Sequence, residues 1–171
     1  MERTSEAVKK LEDIWDEDEH EAAQERLLNI TVKFQKTHPE AVLPVYAHPG
    51  DAGMDVCACV ALTLQPGARA LVPTGLVMEL PKGTEAQMRP RSGLALKHGI
   101  TLLNAPGTID EGYRGELGII LINHGQEPFH VTPGMRIAQM VIAPVLRVGI
   151  EAVAEVTGTT RGTGGFGSTG V

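Results

Sequence analysis

Beyond about residue 40 the hydrophobic positions fall into short runs broken by turn residues. The runs cover residues 42–46, 56–64, 70–80, 84–88, 101–103, 116–123, 129–132, 136–145 and 148–156, and they are rich in Val, Ile, Leu and Thr. Between them stand Pro49-Gly50, Pro66-Gly67, Pro81-Lys82-Gly83, Pro106-Gly107 and Pro133-Gly134. Many short strands with frequent turns predict an all-β fold: a sandwich, a jelly roll or a closed, distorted β-barrel. With no long helical pattern between the strands, a parallel α/β sheet is not expected. Residues 5–28 differ. They lack Gly and Pro, and Val8, Leu11, Trp15, Ala22 and Leu27 lie roughly along one helical stripe. Thr4 or Ser5 is placed to cap that helix, with Glu6 at its positive end. The self-repelling run Asp16-Glu17-Asp18-Glu19 interrupts it. Residues 161–171 hold five glycines and no apolar period, which predicts a flexible arm. The expected organisation is an N-terminal helical extension over 1–30, a β-domain over 31–160 and an arm over 161–171.

Charge follows the same division. The 171-residue chain carries a net charge of −6. Residues 1–28 hold ten acids against four bases, which leaves the rest of the chain with eleven of each. The acidity therefore belongs to the extension, and the β-domain is neutral. A pI near 5.5 and only 4% aromatic residues argue against a nucleic-acid binder, which needs cationic surface and stacking rings. No apolar run has the roughly 18 residues of a membrane span. The charged first residues lack the apolar segment of a secretory leader, so a cytoplasmic protein is expected. Cys57 and Cys59, spaced to share one strand face, are then expected as reduced, buried thiols. A zinc site would need two further ligands in matching spacing, and the six histidines show no paired motif.

Three segments carry candidate chemistry. Arg89-Pro90-Arg91-Ser92-Gly93 sets two guanidinium forks beside a hydroxyl and a glycine, which suits phosphate oxygens but also describes an ordinary basic loop. Between Asn104 and Glu116, Asp110 stands among turn glycines with Tyr113 three residues on. That is a candidate general base with an aromatic neighbour, or a plain hairpin whose Asp and Gly simply favour turning. Gly162-Thr163-Gly164-Gly165-Phe166-Gly167 spells a dinucleotide fingerprint, but it lacks the preceding strand and following helix that the fingerprint needs. With Arg161, Ser168 and Thr169 it could still wrap a phosphate as a closing arm, or be a solvated tail.

Taken in order, these pieces resemble the five motifs of the trimeric dUTP diphosphatase (dUTPase) family, from about residue 30 to the end. Asp51-Ala52-Gly53-Met54-Asp55-Val56 resembles the first motif, and Pro90-Arg91-Ser92-Gly93-Leu94-Ala95 the second. Asn104 and Gly107 through Gly115 resemble the third, and Gly134-Met135-Arg136-Ile137-Ala138-Gln139 the fourth. Arg161 through Gly170 resembles the fifth. The resemblance implies a jelly-roll-like subunit, and a homotrimer whose active sites are shared between subunits. It implies hydrolysis of dUTP to dUMP and pyrophosphate, lowering dUTP and supplying dUMP for thymidylate synthesis. Mg²⁺ would ride on the triphosphate with no protein ligand of its own, and Asp55 would touch its waters or the site arginines.

On the same resemblance Asp110 activates the attacking water, and Tyr113 packs under the deoxyribose and excludes a 2′-hydroxyl. Asn104 and the hairpin of Gly107, Thr108 and Ile109 read the uracil edge. Arg91, Ser92, Gly93, Arg136 and Gln139 bind the phosphates. Arg161, Ser168 and Thr169 clamp the distal phosphates, while Phe166 and Gly167 cover the base. The chain departs from the pattern at Met54, where the family has Tyr, and at Met135, where an Asp normally precedes the Arg. The second departure leaves the orientation of Arg136 open. Two other readings share parts of this picture. A dCTP deaminase-like enzyme would need a catalytic Glu where this chain has Ile120. A trimeric regulatory binding protein would dock partners through the acidic extension.

Overall fold

The computed structural model describes residues 30–165. The helix expected within residues 1–30, Trp15 included, and Phe166, Gly167, Ser168 and Thr169 lie outside the described residues. The described part is a jelly-roll-like β fold. Its strands are β1 (Lys33–Lys36), β2 (Met54–Cys57), β3 (Leu62–Leu64), β4 (Arg69–Glu79), β5 (Thr84–Arg89), β6 (Ile100–Leu102), β7 (Gly107–Ile109), β8 (Glu116–Asn123), β9 (Phe129–Val131) and β10 (Arg136–Pro144), with one short helix, α1 (Ser92–His98). Two four-stranded sheets, β1-β4-β8-β6 and β2-β10-β5-β7, and the pair β3-β9 are antiparallel throughout.

Alternation decides which face of each strand is buried. In β8, Leu117, Ile119, Leu121 and Asn123 point inward, and in β5 Thr84, Ala86 and Met88 do so. Inward residues from all three sheets join one core, among them Val56, Val72, Leu76, Leu121, Val131 and Met140. Each fully buried side chain of this size contributes about 1.5–3 kcal/mol. Met54 belongs to this core, so the departure from the family's Tyr is a packing change.

Polar groups hold the fold where the ladders break. β4 and β8 shift register between Pro73 and Val77. There the buried Thr74 hydroxyl donates to the Leu117 carbonyl at 2.7 Å, and the Gly75 N–H donates to Oε1 of Glu116 at 2.8 Å. Gly75 has φ +68, and a Cβ on it would lie 2.5 Å from that of His38. Asn123 is fully buried. Its Nδ2 donates to the carbonyls of Leu64 and Glu127, and its Oδ1 accepts the Gly125 N–H. It ties β3, β8 and the following loop together.

Several expectations are corrected. Residues 148–156 form no strand. Val148, Ile150 and Val156 are 78%, 97% and 79% exposed, and the segment pairs with none of the described strands. Residues 42–46 contribute only a bridge from Val45 to Asp55. The run 56–64 breaks after Cys57, so Cys59 lies past β2, its N–H donating to the Pro73 carbonyl at 3.1 Å. Both thiols are free and buried. Helix α1 was not expected. Leu94, Ala95, Leu96 and Lys97 favour helix, Arg91 caps it in extended conformation, and Gly99 ends it at φ +66 with its N–H on Ala95 and Leu94 carbonyls. Seven residues are too few for a readable period.

Candidate active site

Strand pairing brings the first, second and fourth motif segments to one end of the β2-β10-β5 sheet. Asp55 on β2 stands opposite Gln139 on β10, which stands opposite Arg89 on β5. Residues paired across antiparallel strands share a face, so this row is set by register alone. Arg91 and α1 follow β5 directly. The result is a cavity of about 410 Å³ lined by Asp55, Arg91, Ser92, Gly93, Arg136 and Gln139, with His48, Asp51 and Gly53 at its rim.

Asp55 organises the cavity. Its side chain is only 14% exposed, with Oδ1 3.0 Å from Nε of Arg91 and Oδ2 3.1 Å from Nη1 of Arg136. Arg91 also donates from Nη1 to the Arg136 carbonyl at 3.1 Å. Arg136 is therefore oriented by Asp55, while the half-buried Met135 packs against the core. Gln139 donates from Nε2 to the Pro90 carbonyl at 2.9 Å. A Cβ on Gly53 would meet its Oε1 at 2.6 Å, so only glycine leaves that amide its place. Sequence reasoning missed both the Pro90 carbonyl and Gly53, since the contacts cross between strands far apart in the chain. Gly93, second residue of α1, has no atom within 4 Å of where a Cβ would stand, leaving its backbone approachable.

The cavity holds directional donors more than net charge. Asp55 and Asp51 offset the two guanidiniums among its lining residues, and Asp51 accepts the His48 N–H at 2.9 Å. Such a site suits an anion whose charge is already partly neutralised. Burial pushes the neighbouring Cys57 thiol up, Asp55 adds to the rise, and Arg136 and Arg91 pull it back.

Asp110 is elsewhere. β7 pairs with β5 so that Ile109 faces Ala86, which puts Asp110 beside the start of β5, whereas the cavity lies at its end. Four residues of strand separate Glu85, beside Asp110, from Arg89, about 13 Å at ~3.3 Å per residue. Asp110 is exposed and lines a second cavity of about 390 Å³ with Thr108, Glu111 and Arg147. The Tyr113 N–H donates to the Asp110 carbonyl at 3.0 Å, and its half-exposed ring donates through the hydroxyl to the Glu116 carbonyl at 3.0 Å. Asn104 stays by this hairpin, its Nδ2 3.2 Å from where a Cβ of Gly107 would stand. Arg161 turns onto its own segment, donating from Nε to the Gly164 carbonyl at 2.9 Å. The chain thus assembles one arginine-lined cavity and one carboxylate hairpin without bringing them together.

Among the described residues no group of three or more His, Cys, Asp or Glu is arranged to hold a metal ion, and no helix is long and apolar enough to cross a membrane.

Comparison with known proteins gives one answer. The family model described as dUTPase matches residues 39–170. A deoxyuridine 5′-triphosphate nucleotidohydrolase of Gloeothece citriformis is 61% identical over 140 residues, covering 82% of this chain and 97% of that protein. One of Clostridium novyi is 64% identical over 137 residues, covering 80% and 96%. Among solved structures, the Staphylococcus bacteriophage 80alpha dUTPase with dUPNHPP superposes with a TM-score of 0.78 at 27% identity, covering 82% of this chain and 99% of that one. A mutant dUTPase from phage phi11 of S. aureus, described as coordinating a structural Mg(II) ion, shares the fold at a TM-score of 0.68 and 24% identity.

Proposed function

The chain belongs to the dUTPase family, and from that premise we propose how its residues hydrolyse dUTP to dUMP and pyrophosphate. Asp110 orients a water and takes its proton as the water attacks the α-phosphorus in line with the leaving pyrophosphate. Arg91, Ser92, Gly93, Arg136 and Gln139 hold the phosphate oxygens, with Asp55 keeping both guanidiniums aimed. Tyr113 walls off the sugar's 2′ position, and Asn104 with the backbone of Gly107, Thr108 and Ile109 reads the uracil. Arg161, Ser168 and Thr169 close on the distal phosphates, and Phe166 and Gly167 cover the base, excluding bulk water. Mg²⁺ carried on the triphosphate supplies charge neutralisation. The near-balanced donor set of the cavity fits that arrangement, because it offers guanidinium forks instead of a carboxylate cage.

The observation that carries this reading is the separation of Asp110 from the anion cavity along β5. A working site needs both, so it draws Asp110 from one copy and the cavity from another. We assign a homotrimer with shared sites, supported also by the exposed apolar residues Leu146, Val148, Ile150 and Val156 beyond β10. The buried free thiols suit the reducing cytoplasm, where we place the enzyme. Neither a membrane nor a nucleic acid has a part in this reading. Ile120, on β8 where a deaminase would need Glu, cannot transfer a proton. The test is pyrophosphate release from dUTP with Mg²⁺, set against UTP, dTTP and dCTP. Release from dUTP alone is expected, and no release, or equal release from UTP, refutes the reading.

A further inference from the structure

Three segments of the chain meet at Gly83, in the turn between β4 and β5. Its N–H donates to Oε2 of Glu111 at 2.8 Å, and its carbonyl accepts the Val145 N–H at 2.9 Å. Gly83 sits at φ +75 in open space, so both groups are aimed by backbone conformation and not by packing. Oε2 of Glu111 lies also 3.7 Å from Nη2 of Arg147. Glu111 is the residue after Asp110. Val145 and Arg147 begin the segment that leaves β10. The turn that carries Asp110 is therefore joined, through one carboxylate and one glycine, to the root of the C-terminal segment.

The other side of that turn is held as well. Nη1 of Arg114 donates to the carbonyls of Glu111 and Tyr113 at 2.7 and 2.8 Å. With the bond from the Tyr113 N–H to the Asp110 carbonyl, this closes the turn upon itself. What the internal bonds leave undetermined is where the closed turn stands relative to the sheet. The Glu111 carboxylate supplies that second fixed point. Its side chain is 29% exposed, against 81% for Arg147, so the bond to Gly83 is the sheltered one and the ion pair is solvent-screened.

We propose that Glu111 is a positioning residue for Asp110. It pins the catalytic turn to Gly83, and so to the start of the C-terminal segment, holding the Asp110 carboxylate at one height over the attacking water. The proposal rests on Asp110 being the base. A misplacement of about 1 Å at a reacting group lowers turnover by up to about 100-fold without touching substrate contacts. Glu111 acts on position alone, so its loss belongs in kcat and not in KM.

The full-length enzyme is measured with dUTP and Mg²⁺ as Glu111→Ala, Glu111→Gln, Arg147→Ala and Asp110→Asn. Rates are taken per site titrated with a non-hydrolysable dUTP analogue, which leaves unfolded protein out of the count. Glu111→Ala is expected to lower kcat about 10- to 100-fold with KM within about 3-fold. Glu111→Gln should recover to within about 3-fold of the parent, because its amide oxygen still accepts the Gly83 N–H, and Arg147→Ala should stay in the same range. A Glu111→Ala enzyme at parental kcat while Asp110→Asn is inactive overturns the positioning role. So does a loss confined to KM, or a Glu111→Gln enzyme as slow as Glu111→Ala. An active Asp110→Asn enzyme instead removes the base assignment itself, and the proposal with it.

Discussion

Asp55 forms ion pairs with two arginines and thereby sets how the arginine-lined cavity presents them. Without it the guanidiniums would be free to turn to solvent, and Arg136 would lose the anchor that Met135 cannot provide. Asp110 is its opposite, an exposed carboxylate whose proposed work as base needs a substrate brought to it. Asp110→Asn is expected to lower kcat about 10²- to 10⁴-fold, while affinity for a non-hydrolysable dUTP analogue, read by calorimetry, changes little. A collapse in affinity would show that Asp110 binds substrate instead. Cys57 lies beside Asp55, and Cys59 lies by Glu116. Burial raises both Cys57 and Cys59 above the ordinary value of 9.0. As pH climbs through 9.0, the unfolded chain loses these protons first. The stability the buried neutral thiols contribute is thus whole below that pH and falls above it. Thiol titration with a chromogenic disulfide should find both groups slow in native protein at neutral pH and fast in denaturant. Fast native labelling would contradict their burial.

At the scale of elements, the weak points are where ladders stop. The β4–β8 bulge is rebuilt from the Thr74 hydroxyl, the Glu116 carboxylate and a glycine in the left-handed region. Gly75→Ala should destabilise by about 1–3 kcal/mol from backbone strain alone, and by more because the new methyl meets His38. Denaturant unfolding with an unchanged slope would measure it, and a loss under about 0.5 kcal/mol would mean that the bulge relaxes freely. These features explain which elements the sequence disclosed. β8 and β5 alternate cleanly and were legible. Helix α1 is two turns long and lies between strands, so local pattern could not separate it from a loop. Residues 148–156 carry strand-like composition, yet they pair with none of the described strands, and composition alone cannot say whether a strand finds a partner. Asn123 looked like the end of a strand, and its three buried hydrogen bonds reach across the fold to Leu64.

The whole molecule raises the question of where one active site ends and another begins. With Asp110 and the anion cavity at opposite ends of β5, subunits damaged at one should repair subunits damaged at the other. In the proposed homotrimer, co-expressed Asp110→Asn and Arg91→Ala chains are expected to form mixed trimers in which about a quarter of the sites are intact, by random assortment of two required subunits. Each variant alone should be nearly inactive. No recovery in mixed trimers of verified composition would place the complete site within one chain. The same assembly would give the exposed apolar residues beyond β10 a surface to cover.

The sequence by itself determined the family and the class of reaction. Its five short motifs, each local and each built of residues whose spacing the backbone preserves, pointed to the family and put forward the carboxylate and guanidiniums proposed to work in it. It also determined the β class, since alternation and turn residues act over a few positions. The tertiary structure alone decided who holds whom. Asp55 meets Arg91 and Arg136, Gly53 yields to Gln139, and Glu111 meets Gly83 because strand register juxtaposes residues that the chain keeps far apart. Register is a property of the folded sheet, fixed by burying one face of every strand at once, and no local window contains it.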